Sequence, residues 1–243
     1  MRDETMPKAA CRQPAKEESQ KIPPIDGGPT LGLRVDTIPW SIRPFYLALT
    51  WVAGAVVYLY YALCRVTSRI SVEGSGNHDL SQHSIFCIWH ENWLSYFVVF
   101  LRYRSAHALI THPAAYMKPI HNVFRLMGLD RLLLGSSGEE GKRAINRLAV
   151  LVRKGWSTTI SPDGPYGPAH KVKKGVLHLA LQSGIPIVPL TISVSRYIPV
   201  PSWDCKKLPL PFSRIKVIVH EQTHVNGQNF PETISHIVNA LGA

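Results

Sequence analysis

From about residue 70 onward the chain alternates short apolar runs with stretches of helical periodicity, which narrows the fold to parallel strands joined by helices. Residues 84–89, 106–111, 131–135, 158–161, 185–194 and 215–219 read as strands, and 114–127, 174–183 and 231–241 as helices. A further helix opens on Ser137-Gly138-Glu139-Glu140, an S-x-x-E capping box. Ile145, Leu148, Ala149 and Val152 then recur at helical spacing until Gly155 stops the run. A chain of 243 residues buries roughly 70% of its unfolded surface, enough for a real core. The expectation is one α/β domain over residues 67–243, with a mostly parallel central sheet flanked by helices.

Two segments precede it. Residues 1–36 mix Lys, Glu, Gln, Pro and Gly with almost no large apolar side chain, too little to repay the entropy of ordering. Residues 1–43 are therefore expected to be a flexible tail and lead-in. Residues 45–64 then run uncharged through Leu47, Leu49, Trp51, Val52, Val56, Val57, Leu59 and Leu63, matching the roughly 20 residues that cross a bilayer core. Tyr58, Tyr60 and Tyr61 resemble an interfacial aromatic belt, and Arg43, Arg65 and Arg69 flank the stretch on both sides. Residues 44–66 thus read as a transmembrane or interfacial helix, with a buried helix of the globular domain as the alternative. The apolar stretch starts too late for a cleaved signal peptide, and no small-residue cleavage site comes after it.

Composition sets limits on function. Hydrophobic residues are 45% and charged residues 18%, which fits one membrane attachment and excludes a multi-span protein. The net charge of +11 draws the protein toward polyanions, lipid or otherwise. The sequence has no helix-turn-helix, zinc-finger or aromatic RNA-binding signature, so nucleic acid is not an expected partner. Cys11, Cys64, Cys87 and Cys205 lie far apart, with no C-x-x-C pair to bind zinc or act as a redox motif. They read as reduced thiols of a protein that faces the cytosol, attached to the cytoplasmic membrane.

Three stretches carry candidate chemistry. His90 comes directly after the apolar run 85–89, so it emerges at the carboxyl end of a strand, where open α/β sheets place their sites. An imidazole there can act as a general base near neutral pH; a buried structural histidine is the bland alternative. Ile160-Ser161-Pro162-Asp163-Gly164-Pro165-Tyr166-Gly167-Pro168 is a rigid, Gly- and Pro-rich loop after a strand. It offers Asp163 to a substrate hydroxyl and lets a ligand approach its backbone, unless it is only a tight turn. Lys171, Lys173 and Lys174 border that loop just before a helix, an arrangement that favours an anion over a merely solvated lysine run.

In order along the chain come His90, residues 128–135, Pro162-Asp163-Gly164-Pro165 with Lys173-Lys174-Gly175, and Pro186-Ile187-Val188-Pro189. This series resembles the four blocks of the lysophospholipid (glycerolipid) acyltransferase family. It is most similar to the branch with a Trp-His pair and a Pro-Asp-Gly-Pro loop, formerly catalogued as a domain of unknown function. The resemblance covers residues 70–225. It implies transfer of a fatty acyl group from a thioester of coenzyme A or acyl carrier protein to a hydroxyl of a lysophospholipid or related lipid. Membrane lipids and the thioester donor are the implied partners, and neither a metal nor a further cofactor is implied. By this resemblance His90 is the general base, and Asp163 is catalytic beside it. Gly164 and Pro165 line the acceptor site, and residues 186–189 shape the acyl-binding wall.

The chain also departs from the pattern. The family's main pattern places an Asp five residues after the His to orient it, and this chain has Ser95 there. Glu91, Asn92, Asp163 and Ser95 itself are the substitutes nearest to hand. Two arginines that the pattern places near the acceptor phosphate are missing. Residues 135–136 are Gly-Ser, and Pro165-Tyr166 stands in place of Thr-Arg. Lys118, Arg143, Lys171, Lys173 and Lys174 are the cations that remain for acceptor binding. A catalytically impaired, membrane-binding relative and a lipid esterase or thioesterase using Ser161 or Ser136 are the competing readings. The latter lacks a G-x-S-x-G elbow.

Overall fold

The structure, a computed structural model, describes residues 33–74, 83–102, 106–129, 131–136 and 138–242. The chain runs through α1 (Arg43–Thr67), β1 (Arg69–Gly74), β2 (Ile85–Cys87), α2 (Trp93–Val99), β3 (His107–Thr111), α3 (Lys118–Leu126) and β4 (Arg131–Leu134). It continues with α4 (Gly138–Arg153), β5 (Ser157–Ile160), α5 (Lys174–Ser183), β6 (Ile187–Val194), β7 (Tyr197–Pro199), β8 (Lys207–Pro209), β9 (Arg214–Val219) and α6 (Phe230–Leu241). Among the described residues, seven strands form one sheet in the order β1-β9-β6-β2-β5-β3-β4. All neighbouring pairs are parallel except β6 with β9, and β7 pairs with β8 in a separate antiparallel hairpin. The fold is thus the α/β class expected, with a mostly parallel central sheet flanked by helices.

The pleat of β2 divides the core. Ile85 and Cys87 pack with Leu148, Val152, Leu177, Leu179 and Ile237 on the face covered by α4, α5 and α6. Phe86 and Ile88 point the other way, into a cluster with Tyr61, Tyr96, Phe97, Val123 and Phe124 from α1, α2 and α3. Because β2 is covered on both faces, it reads as an unbroken apolar run rather than an alternation. Helix α5 ends where Gly184 takes the left-handed conformation (φ 74°), which a side chain resists, and the chain turns directly into β6.

Helix α1 is packed along the domain. Thr50, Gly54, Tyr61 and Cys64 form its buried stripe. Gly54 permits the close approach to α3, since a Cβ there would lie 2.8 Å from the Pro119 carbonyl oxygen. The Tyr46 and Tyr60 hydroxyls donate to the carbonyls of Ala115 (2.8 Å) and Pro209 (2.6 Å). The opposite side carries Phe45, Leu49, Trp51, Val52, Val56, Leu59, Leu63 and Val66, all exposed.

Several expectations need correction or concern residues outside those described. Most of the expected tail, and the Ser137 cap of α4, lie outside the described residues. Residues 33–36, grouped with that tail, are instead docked. The Leu33 carbonyl accepts from the Ala115 amide (2.7 Å), and Arg34 pairs with Asp36 and Glu140. Cys64 and Cys87 are free and buried, whereas Cys205 is disulfide-bonded. That corrects the reading of a reduced thiol at Cys205, and Cys11 lies outside the described residues.

Candidate active site

The carboxyl ends of β5, β2 and β6 lie side by side, and three chain segments converge there. His90 opens a short 3₁₀ turn just beyond β2, leading into α2. Edge-to-face and tilted ring contacts anchor α2, the helix that follows that turn. Trp93 and Phe97 lie 6.3 and 5.3 Å from Phe124, and Phe97 lies 5.4 Å from Tyr61. The loop after β5 brings Asp163 and Gly164 alongside, and the chain beyond β6 returns through the β7–β8 hairpin.

The imidazole of His90 is held on three sides. Its Nδ1 lies 2.6 Å from Oδ2 of Asp204, at the tip of the hairpin. The Trp203 ring stacks on it with centroids 5.0 Å apart and planes 22° from parallel. Gly164 abuts its Cδ2 edge so closely that a Cβ there would sit 3.1 Å away. Asp204 has a fully buried side chain and also accepts from Ser202 Oγ (2.7 Å) and from Lys206 Nζ (2.8 Å to each oxygen). Burial works against its charge, but the bonds from His90, Lys206 and Ser202 prevail and hold its pKa well below the ordinary carboxylate range. An ionised carboxylate only accepts, so Nδ1 carries a proton toward Asp204 and Nε2 is the ring nitrogen left for a ligand.

Asp163 has a different role from the one expected. Its side chain is fully buried, with Oδ1 accepting the His90 amide (3.1 Å) and Oδ2 the His170 amide (3.2 Å). Burial raises its pKa, and these amides oppose the rise. With no exposed oxygen it cannot meet an acceptor hydroxyl as it stands. It staples the loop to the His90 turn.

The expected orienters of His90 are engaged elsewhere. Glu91 pairs with Lys207 (2.9 Å) and faces His170 at 3.8 Å. Burial disfavours the Glu91 charge, but His170 and Lys207 outweigh it and lower its pKa, while Glu91 in turn raises that of His170. Asn92 is buried with its Oδ1 unpartnered among the described residues. Ser95, also buried, donates to the Lys207 carbonyl at 3.4 Å, so the hairpin backbone rests on the position where the family pattern carries its Asp.

Of the expected acceptor-binding cations, Lys173 reaches the site, donating to the Gly164 carbonyl at 3.0 Å. Burial lowers its pKa, and nearby Asp163 opposes that. Lys171 and Lys174 are exposed beside the loop, and Pro165 lies within it. Arg143 is exposed on α4 and bonds the Glu139 carbonyl (3.4 Å). Lys118 stands at the start of α3, its pKa lowered by burial and then by Arg125 and Arg43. Near the family's Thr-Arg position, Tyr166 shares its hydroxyl with His112 Nε2 (2.7 Å) and Ser136 Oγ (3.4 Å). The Ala114 amide donates to His112 Nδ1, and burial lowers the His112 pKa, so this cluster is neutral.

Ser202, Trp203, Asp204 and Lys206 were not among the expected site residues. The separation of 114 residues between His90 and Asp204 gives no periodic or motif signal. The available clue was that residues after 194 also leave the carboxyl end of a strand.

The contact at Gly164 gives a sharp expectation. Gly164→Ala presses on Cδ2 of His90, and the ring can yield only by straining its bond to Asp204. A shift of a few tenths of an ångström in a candidate base is expected to lower kcat by a few-fold to roughly tenfold. Steady-state kinetics beside a thermal melt checks this, with the melt expected to stay near wild type.

No family model matches the chain. In sequence it is similar to an uncharacterized protein, RP090, of Rickettsia prowazekii (strain Madrid E), at 30% identity over 138 residues. The match takes in 57% of this chain and 62% of that protein, so the chain spans less than two thirds of its relative. In structure it is similar to the 1-acyl-sn-glycerophosphate (LPA) acyltransferase PlsC from Thermotoga maritima. The TM-score is 0.50 at 19% identity, covering 83% of this chain and 79% of that one. At that identity the likeness is one of architecture: the chain has the α/β fold of a solved LPA acyltransferase.

Proposed function

We propose that the protein is a membrane-associated acyltransferase that moves a fatty acyl group from an acyl-CoA or acyl carrier protein thioester to a hydroxyl of a lysophospholipid or related lipid. The observation that carries this reading is His90, with Nδ1 2.6 Å from Asp204 Oδ2 and its Cδ2 edge against the Gly164 backbone, at the junction of three strand ends. Nε2 takes the proton of the acceptor hydroxyl as its oxygen attacks the thioester carbonyl. A C–O bond forms, the tetrahedral intermediate collapses, the C–S bond breaks, and the leaving sulfur receives the proton from Nε2. No protein nucleophile or cofactor enters this sequence. The motif order supports the assignment to the branch with the Trp-His and Pro-Asp-Gly-Pro pattern.

The neutral His112–Tyr166–Ser136 cluster near the family's arginine position favours an acceptor other than lysophosphatidic acid. The esterase reading has less support. Ser136 is bonded to Tyr166, Ser161 Oγ has no partner among the described residues, and neither is bonded to His90.

The test is thioester turnover by the purified protein with and without lysophospholipid acceptors. Thiol release that depends on the acceptor, with the acylated lipid as product, is expected. Release at the same rate without acceptor identifies a hydrolase, and no release with any acceptor refutes the reading. Lipid profiling of cells with and without the protein then names the acceptor and the chain length.

Membrane association rests on α1. Its exposed side is apolar and uncharged between Arg43 and Arg65, a patch that water does not tolerate well. Tyr61 and Cys64 on its other side belong to the domain core. The helix therefore lies in the interface along the domain, because crossing the bilayer would pull those residues out of the core. Replacing Val52 and Val56 together with Asp is expected to weaken vesicle binding at least about tenfold, since binding scales with inserted apolar area. Both side chains are exposed, so the melting temperature stays put. Co-sedimentation with anionic vesicles reads the effect.

A further inference from the structure

We infer that Asp204 is the carboxylate that positions His90, a role supplied by the β7–β8 hairpin instead of by the helix directly after the histidine. This rests on the acyltransferase reading only for the reaction it serves. The positioning itself stands on geometry.

The other candidates are excluded by their contacts. Both oxygens of Asp163 hold backbone amides, and Glu91 is paired with Lys207. Ser95 bonds the Lys207 carbonyl. Among the described residues, Asp204 is the one carboxylate at hydrogen-bond distance from the His90 ring.

The hairpin is built to hold that carboxylate in place. Lys206 and Ser202 fix Oδ1, Lys206 also reaches Oδ2, and Trp203 lies flat on the imidazole. Gly167 has φ 64° and lies against the indole, where a Cβ would come within 2.6 Å of Trp203, so the loop after β5 is shaped to receive the hairpin. A ring bound at Nδ1 and stacked on one face can neither flip nor change tautomer freely, which keeps the Nε2 lone pair presented to the substrate. The departure at Ser95 is thereby compensated: the carboxylate is present, delivered from the end of the strand beside β2.

Asp204→Asn tests this, because Asn keeps the shape and can bond either tautomer. Two measurements are made on the full chain. The first, ¹⁵N NMR of the His90 ring, needs no substrate: one neutral tautomer, protonated at Nδ1, is expected in the wild type and a mixture in Asp204→Asn. The second is kinetics: kcat is expected to fall about a hundredfold or more, with KM changed by less than about threefold, as when a histidine loses its orienting carboxylate. Asp204→Glu retains the charge on a longer arm and is expected to recover part of the lost kcat. It also serves if Asn fails to fold.

A tautomer unchanged by the substitution, or a wild-type kcat in Asp204→Asn, overturns the inference. If the wild type transfers no acyl group while the tautomer still shifts, the proposed function fails and the positioning role stands.

Discussion

His90→Ala is expected to lower acyl transfer by about 10²- to 10⁴-fold, the range a positioned general base contributes. The physical basis is that no other group stands ready to take the hydroxyl proton. Glu91 is neutralised by Lys207 and His170, and Asp163 is buried on two amides. The protein should still fold. The His90 side chain is 21% exposed and sits at the rim of the sheet, so its removal opens a surface notch and not a sealed cavity. Asp204 keeps Lys206 and Ser202 when the imidazole is gone, so its charge is not stranded. Turnover with the thioester donor, alongside a thermal melt and vesicle co-sedimentation, separates lost chemistry from lost structure. Turnover equal to wild type in a folded, membrane-bound variant refutes the assignment of the base.

Where the sequence was legible, the local physics was strong. Strands β2 and β6 are apolar runs, β5 is β-branched and opens into a loop rich in Gly and Pro, and helix α4 carries its period plainly, so the layers and the place of His90 are legible from pattern. Helix α2 is not legible in the sequence because Trp93-Leu94-Ser95-Tyr96-Phe97-Val98-Val99 is apolar on nearly every side. A helix buried all round shows no amphipathic period. Strand β1 (Arg-Ile-Ser-Val-Glu-Gly) is mostly exposed at the sheet edge and carries too little apolar signal. The β7–β8 hairpin is short, and each of its strands contains a proline, which disguises it as loop.

The same contrast governs the site. The positions of His90 and Gly164 are readable because each sits close to its own strand end. The roles of Asp163 and Asp204 depend on which backbone amides and side chains the folded loops bring within reach. Asp163 looks like a ligand-binding residue in sequence, since Asp in a Gly-Pro loop usually faces solvent. Only the folded arrangement, with the His90 and His170 amides both pointing at it, turns it inward. Asp204 needed the reverse step, from knowing that β6 lies beside β2 to tracing where the chain runs once it leaves β6.

Acidification from about pH 7.5 to about pH 5 is expected to cost the fold roughly 4 kcal/mol, through two buried histidines away from His90. His107 on β3 is stacked on Phe86 with planes 3° apart, and its Nε2 lies 3.2 Å from Thr159 Oγ1. Burial pushes its pKa down to about 3. His121 on α3 has its Nε2 near Thr111 Oγ1 (3.3 Å) and the His112 carbonyl (3.2 Å). Its pKa falls to about 4, chiefly by burial, with Lys118 and Arg125 adding to the shift against the opposing His112 carbonyl. Both folded values lie below the unfolded value of about 6.5, so well above that pH neither state holds these protons and stability is whole. Below it the unfolded chain takes up protons that the folded protein refuses, and stability is lost until the pH reaches the folded values. Each site costs about 1.36 kcal/mol per pH unit below the unfolded value, so two sites over about 1.5 units give the figure above. In a protein of this length that lowers the melting midpoint by roughly 8 to 16 °C. His170, raised by Glu91, works in the opposite sense, but it is partly exposed and its contribution is screened. His107→Gln keeps a donor for Thr159 and cannot titrate. Its stability should therefore fall less steeply with pH than the wild type's by about 1.4 kcal/mol per unit, and equal slopes would show that His107 is not held neutral by the core.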